Sequence, residues 1–318
     1  MRDLPKSVRI NEEGPREGFQ IESGPIPTAR KIELIDALSE TGIKHMQIVS
    51  FVNPKRVPGM ADAEQVVEGV RINPKVEYTG LWLNEKGLER AIATGRLKIE
   101  GKISLCASEK FLMRNQNKTF EGQREYNHRV VEMFQEHDIA VERASIMAAF
   151  GCNFEGDVAP ATVVERVDEV FEIAAEHGEK IKVVSLADTM AWATPLSVKR
   201  VVGAIRETYP DLCLSLHLHD TRGMAIANAY AGLEMGIDRY DASVAGLGGC
   251  PFAGHKSAAG NICTEDLVFM CDEMGIKTGI DLDRLMACAR LAEEVVGHPL
   301  PGSVKLGGSL KKLREGVH

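Results

Sequence analysis

Val8-Arg9-Ile10-Asn11-Glu12-Glu13-Gly14-Pro15-Arg16-Glu17-Gly18-Phe19-Gln20 begins with a short run of β character, Val8–Glu12, and then turns on two glycines. A first strand followed by a glycine-rich turn is where an open, doubly wound sheet carries its dinucleotide fingerprint, GxGxxG. The spacing Gly14-Pro15-Arg16-Glu17-Gly18 does not fit that fingerprint. Working outward, seven further runs read as strands: Met46–Phe51, Val76–Leu81, Gly101–Ala107, Val141–Met147, Ile181–Leu186, Cys213–Leu218 and Tyr240–Val244. Their starts lie about 33 residues apart, close to one β-crossover-β unit. Amphipathic stretches fill the gaps. Thr28 is placed to cap Ala29–Glu40, whose Ile32, Ile35 and Leu38 share a face. Pro160 opens Ala161–His177 with a stripe of Val163, Val167, Val170, Phe171 and Ala174, and Pro195 opens Leu196–Thr208.

Eight evenly spaced strands with helices between them, and no dinucleotide fingerprint, predict an α/β chain folded as a (β/α)8 TIM barrel. Extra C-terminal helices are expected over Thr264–Gly275 and Asp281–Gly297. Residues 1–297 therefore read as one barrel domain. Residues 298–318 read as a basic tail (Lys305, Lys311, Lys312, Arg314), a solvated extension or a subunit contact rather than a ligand lid.

The 318 residues carry 38 basic and 46 acidic side chains, a formal net charge of −8. That balance argues against a protein that coats nucleic acid or an anionic membrane, since both need basic surface. With 44% hydrophobic and 26% charged residues, the chain is neither disordered nor a coiled coil. No apolar run approaches the roughly 18 residues of a spanning helix, and the first residues lack the apolar centre of a signal peptide. The seven cysteines form no CxxC pair and read as reduced thiols, so a cytoplasmic protein is expected.

In a barrel the chemistry lies at the C-terminal strand ends. Strand seven ends Leu216-His217-Leu218-His219-Asp220, and alternation puts both histidines on one face. Imidazoles at i and i+2 have the spacing for one metal ion; two core histidines bonded to backbone are the plain alternative. Arg16 and Glu17 sit between glycines in what reads as a tight turn. There the acid can complete a coordination sphere and the guanidinium can hold a carbonyl or carboxylate, unless the two simply form a surface ion pair. Asp188 is a further acid at the end of strand six. After strand eight, Ala245-Gly246-Leu247-Gly248-Gly249-Cys250-Pro251-Phe252 is a glycine-rich loop presenting one thiol, which can exchange a proton once covered.

Together these segments resemble the 3-hydroxy-3-methylglutaryl-CoA lyase family of the TIM-barrel metallolyase superfamily. Gly14-Pro15-Arg16-Glu17-Gly18-Phe19-Gln20, Ser50-Phe51-Val52-Asn53-Pro54-Lys55, His217-Leu218-His219-Asp220-Thr221 and the Gly246–Pro251 loop follow family segments in order, as does Gly260-Asn261 before Thr264-Glu265-Asp266. The likeness implies a divalent cation, Mg2+ or Mn2+, bound by Glu17, His217, His219 and Asn261. It implies metal-dependent cleavage of 3-hydroxy-3-methylglutaryl-CoA or a close analogue to acetyl-CoA and a keto acid (acetoacetate), with Arg16 stabilising an enolate, Cys250 and Asp188 moving protons, and His217 at the reacting centre. Ser50 and Lys55 would contact the CoA portion of the substrate, with Arg56 beside Lys55. An acyl-CoA is the expected partner, and barrels of this kind commonly form homo-oligomers. The family's metal-binding Asp is Glu17 here, and the acid usual in strand two is Gln47. The stretch between Cys250 and Asn261 is longer and adds His255 and Lys256. A citramalyl-CoA-type substrate yielding pyruvate, a condensing synthase, and a non-catalytic barrel that binds CoA esters are the alternatives.

Overall fold

The computed structural model describes residues 4–22, 24, 26–248 and 260–316. Eight strands alternate with helices: β1 (Arg9–Glu12), β2 (His45–Ser50), β3 (Glu77–Leu81), β4 (Gly101–Cys106), β5 (Val141–Met147), β6 (Val183–Ala187), β7 (Cys213–His217) and β8 (Arg239–Ala242). Each falls where the sequence places a strand. Packing divides the chain into two compact units. No helix among the described residues is long and apolar enough to cross a membrane.

In residues 99–240, β4 pairs with β5, β5 with β6, and β6 with β7, all parallel. The register lines up Ser104, Ser145, Ser185 and Ser215 in one row across the four strands. Residues one step along, such as Ile146, Leu186 and Leu216, point the other way and are wholly buried. That second face is the helix face. A Cβ on Gly232, in the helix Ala225–Glu234, would meet the Leu216 side chain at 2.6 Å. The helix Pro160–Glu176 buries Val163, Val167, Val170, Ile173 and Ala174 at helical spacing. Burying each valine contributes about 1.5–3 kcal/mol. Phe171, expected in that stripe, is half-buried and stacks on Tyr209 at 4.8 Å.

In residues 6–98 and the described residues from 241 onward, β1 pairs with β2 and β2 with β3, again parallel. The helix Thr28–Ser39 buries Leu34, Ile35 and Leu38. Thr28 is not its side-chain cap. The Thr28 hydroxyl donates to Asp62 at 2.7 Å, and Asp62 also holds the buried Lys31 ammonium at 2.6 Å. The stretch Gly14–Ile21, read as a tight turn, is an α-helix. Pro15 at its start has no N–H to lose there, so proline opens the helix rather than breaking it. The tail is not simply solvated either. Lys305 is 5% exposed and donates to the carbonyls of Leu300 (2.5 Å) and Gly302 (2.8 Å), with Glu293 at 3.3 Å.

Candidate active site

On β7 the leucines occupy the helix face, so His217 and the next residue of the same parity, His219, lie on the serine face. Their Nε2 atoms are 3.2 Å apart. That is the separation of two neighbouring nitrogen ligands on one ion, and with no ion one ring donates to the other. His217 is half-buried and His219 is buried.

Asp188 follows β6 and its backbone N–H donates to the His217 carbonyl at 2.8 Å. Its Oδ1 accepts from the N–H groups of Trp192 (2.7 Å) and Ala193 (2.9 Å). The turn that aims both at the carboxylate passes through Ala191 in a left-handed conformation (φ 55°), a conformation that costs a non-glycine residue energy. Arg222 offsets this by donating to the carbonyls of Met190 and Ala191, each at 3.0 Å. Burial pushes the Asp188 carboxyl up to about 6, although the two N–H bonds, His217 and Arg222 pull it down. Its Oδ2 is buried without a hydrogen-bond partner among the described residues.

After β1, the helix Gly14–Ile21 presents Arg16 and Glu17. The Arg16 Nε donates to the Gln47 amide oxygen, its NH2 to Glu13 at 2.6 Å, and its NH1 pairs with Glu17 at 2.8 Å. Burial alone would lower the Arg16 guanidinium, but Glu17 and Glu13 outweigh it and hold the group above its ordinary value. The second Glu17 oxygen accepts from Asn261 Nδ2, which also donates to Ser243 Oγ at 2.8 Å. The Asn261 amide oxygen is buried with no hydrogen-bond partner among the described residues. A buried carbonyl oxygen left without a donor, beside a carboxylate, suits a hard cation. Gly248 (φ 92°) lies against this pair, where a Cβ would come within 2.9 Å of both Asn261 Nδ2 and Glu17 Cβ. That close approach excludes any side chain at position 248.

Sequence reasoning missed Glu12. It is fully buried and accepts from Val244 N–H (2.8 Å), Gly14 N–H (2.8 Å) and Thr264 Oγ1 (2.7 Å). Glu12 thereby ties the end of β1 to the start of the Arg16 helix and to both ends of the loop after β8. Burial pushes its carboxyl up to about 8. A second grouping, Cys263, Glu265 and Asp266, brings its ligand atoms within 4.8 Å of one another. Burial keeps the Cys263 thiol protonated, Glu265 Oε2 accepts from Ala245 N–H while its Oε1 is buried without a hydrogen-bond partner among the described residues, and Asp266 accepts from Ser303 and Val304.

Of the other expected site residues, Ser50 is buried and donates its hydroxyl to Gln20 at 3.0 Å, while Lys55 is exposed. Cys250, with His255 and Lys256, lies outside the described residues.

The alternation of eight strands with helices defines a (β/α)8 TIM-barrel protein. The HMGL-like family model matches residues 7–292, and the chain belongs to that family. It is 40% identical over 286 residues to the mitochondrial hydroxymethylglutaryl-CoA lyase of Mus musculus, covering 90% of this chain and 85% of that one. Among solved structures it is similar to the HMG-CoA lyase of Bacillus subtilis, with a TM-score of 0.87 and 37% identity, covering 96% of this chain and 98% of that one. It is also similar to an HMG-CoA lyase of Acinetobacter baumannii in complex with coenzyme A and 3-methylmalate, with a TM-score of 0.85 and 36% identity over 98% of both chains.

Proposed function

We propose that the protein is a divalent-cation-dependent carbon–carbon lyase that cleaves 3-hydroxy-3-methylglutaryl-CoA to acetyl-CoA and acetoacetate. The observation that carries this reading is the pair of Nε2 atoms 3.2 Å apart at the end of β7, in a chain about two-fifths identical to enzymes of that name. His217, His219, Glu17 and Asn261 are the residues that would hold Mg2+ or Mn2+. Bound there, the cation would act as a Lewis acid on the substrate's 3-hydroxyl and a neighbouring oxygen.

The chain's own groups do the rest. Asp188, a buried carboxyl with one oxygen unengaged among the described residues, takes the 3-hydroxyl proton. The C2–C3 bond then breaks, leaving a keto acid and the enolate of acetyl-CoA. Arg16 stabilises the enolate oxygen, and its three side-chain anchors fix the guanidinium before charge develops, so little reorganisation is needed. Cys250, a thiol in the family's Gly-Leu-Gly-Gly-Cys-Pro segment, returns a proton to the enolate carbon. Lys55 and Arg56, both exposed, meet the CoA phosphates, while Ser50 acts through Gln20.

The tail exposes Leu306 (83%), Leu310 (38%) and Leu313 (54%), which supports self-association of the chain. The six described cysteines are all free thiols, in keeping with a reducing, cytoplasmic setting. Incubating the purified protein with Mg2+ or Mn2+ and the thioester tests the reaction. Acetyl-CoA and acetoacetate are expected in equal amounts. Pyruvate from citramalyl-CoA would reassign the substrate, and a panel of branched 3-hydroxyacyl-CoAs left intact with metal present would end the lyase reading.

A further inference from the structure

Three side chains grip three different nitrogens of the Arg16 guanidinium, and they are not equivalent. Gln47 accepts from Nε but carries no charge. Glu17 divides itself, one oxygen on Arg16 and the other on Asn261. On the reading above Glu17 also faces a cation, which draws its charge away from the guanidinium. Glu13 is the third partner. It sits at the residue before the helix, where its backbone carbonyl accepts from the N–H groups of Arg16 (3.1 Å) and Glu17 (2.8 Å). Its side chain turns back onto Arg16 NH2 at 2.6 Å, with the two side chains only 8% and 14% exposed. An ion pair so far out of water, with one partner fixed by the helix start, constrains geometry far more than a surface pair does.

We propose that Glu13 is the positioning residue for Arg16, supplying next to the helix start the counter-charge that position 47 lacks. It touches no reacting atom. Its work is to keep the guanidinium aimed while Glu17 is engaged by a metal, so the inference rests on the lyase reading for its catalytic consequence and on geometry alone for the placement. A carboxylate at position 47 would reach the same guanidinium from the Nε side and can accept from Nε and NH2 together. The two positions are thus exchangeable carriers of one charge.

The experiment compares Glu13→Gln, Gln47→Glu and the double variant in turnover, metal content and melting temperature, with a crystal structure of Glu13→Gln. Glu13→Gln should lower kcat on the order of 10- to 100-fold, the scale set by misplacing a catalytic group by an ångström, while KM and bound metal stay near wild type. The double variant should recover most of that loss. The crystal structure should show the guanidinium displaced from Gln47. Should Glu13→Gln not fold, Glu13→Asp, charged but too short to reach NH2, should show the same loss. Turnover within about twofold of wild type overturns the proposal. So does a double variant that melts like wild type yet recovers nothing, or an Arg16 found unmoved in the Glu13→Gln crystal. If the wild type cleaves no thioester, the lyase reading falls, and the crystal structure still decides whether Glu13 holds Arg16.

Discussion

The imidazoles that follow β7 and the guanidinium that follows β1 reach their places by opposite means. His217 and His219 need only the period-two alternation of a strand whose leucines are packed by helices. Arg16 needs partners 3 and 31 residues away, on a helix whose start is pinned by Glu12 to groups 232 and 252 residues along the chain. The first arrangement is local and robust to what surrounds it. The second is a network in which each member depends on the others, so its residues should be strongly non-additive on mutation.

The sharpest way to separate the two is His219→Ala. Losing a ligand should cost more than the 10- to 100-fold typical of groups that merely support ligands, and elemental analysis should show bound metal falling with it. Full retention of metal would put the imidazoles outside the coordination sphere. Arg16→Gln should leave metal in place and lower kcat on the order of 100-fold, as removal of a preformed charge-stabilising donor does. A change confined to KM would make Arg16 a binding group only.

Glu12 offers a test by pH rather than by rate. Its folded-state carboxyl lies near 8, above the ordinary value of 4.5. Between those values the folded chain holds a proton that the unfolded chain has released. The resulting stabilisation is complete below about pH 4.5 and is lost as pH rises through about 8. Melting temperature should therefore slope downward across that window, and Glu12→Gln should flatten the slope. An unchanged slope would mean another group is responsible. The smallest effect belongs to the exposed Lys55: Lys55→Ala should raise KM for the thioester by about threefold at low salt, and the difference should fade at high ionic strength.

The same contrast explains how much could be read from sequence. Periodicity gave the strands, and strand seven announced its histidines. The Arg16 segment misled, because Gly14 and Gly18 look like turn residues. In fact Gly18 is there for packing, since a Cβ would meet the Leu247 side chain at 2.9 Å. Thr28 looked like a cap but answers to Asp62, 34 residues away. Glu12 and Lys305 gave no local signal at all, since an acid at the end of a strand or a lysine in a tail is ordinary until its distant partners are known. Gln47 reads in the sequence as a lost charge, whereas in the fold its amide oxygen accepts from the Arg16 Nε.

One carboxylate in this molecule has lost its symmetry. Asp188 commits Oδ1 to two peptide N–H groups held in place by the Arg222 clamp, and leaves Oδ2 to itself among the described residues. A proton arriving at this residue is left one oxygen, Oδ2, to settle on. The choice between two otherwise equivalent oxygens is thus made by a turn of the backbone, well before any substrate arrives.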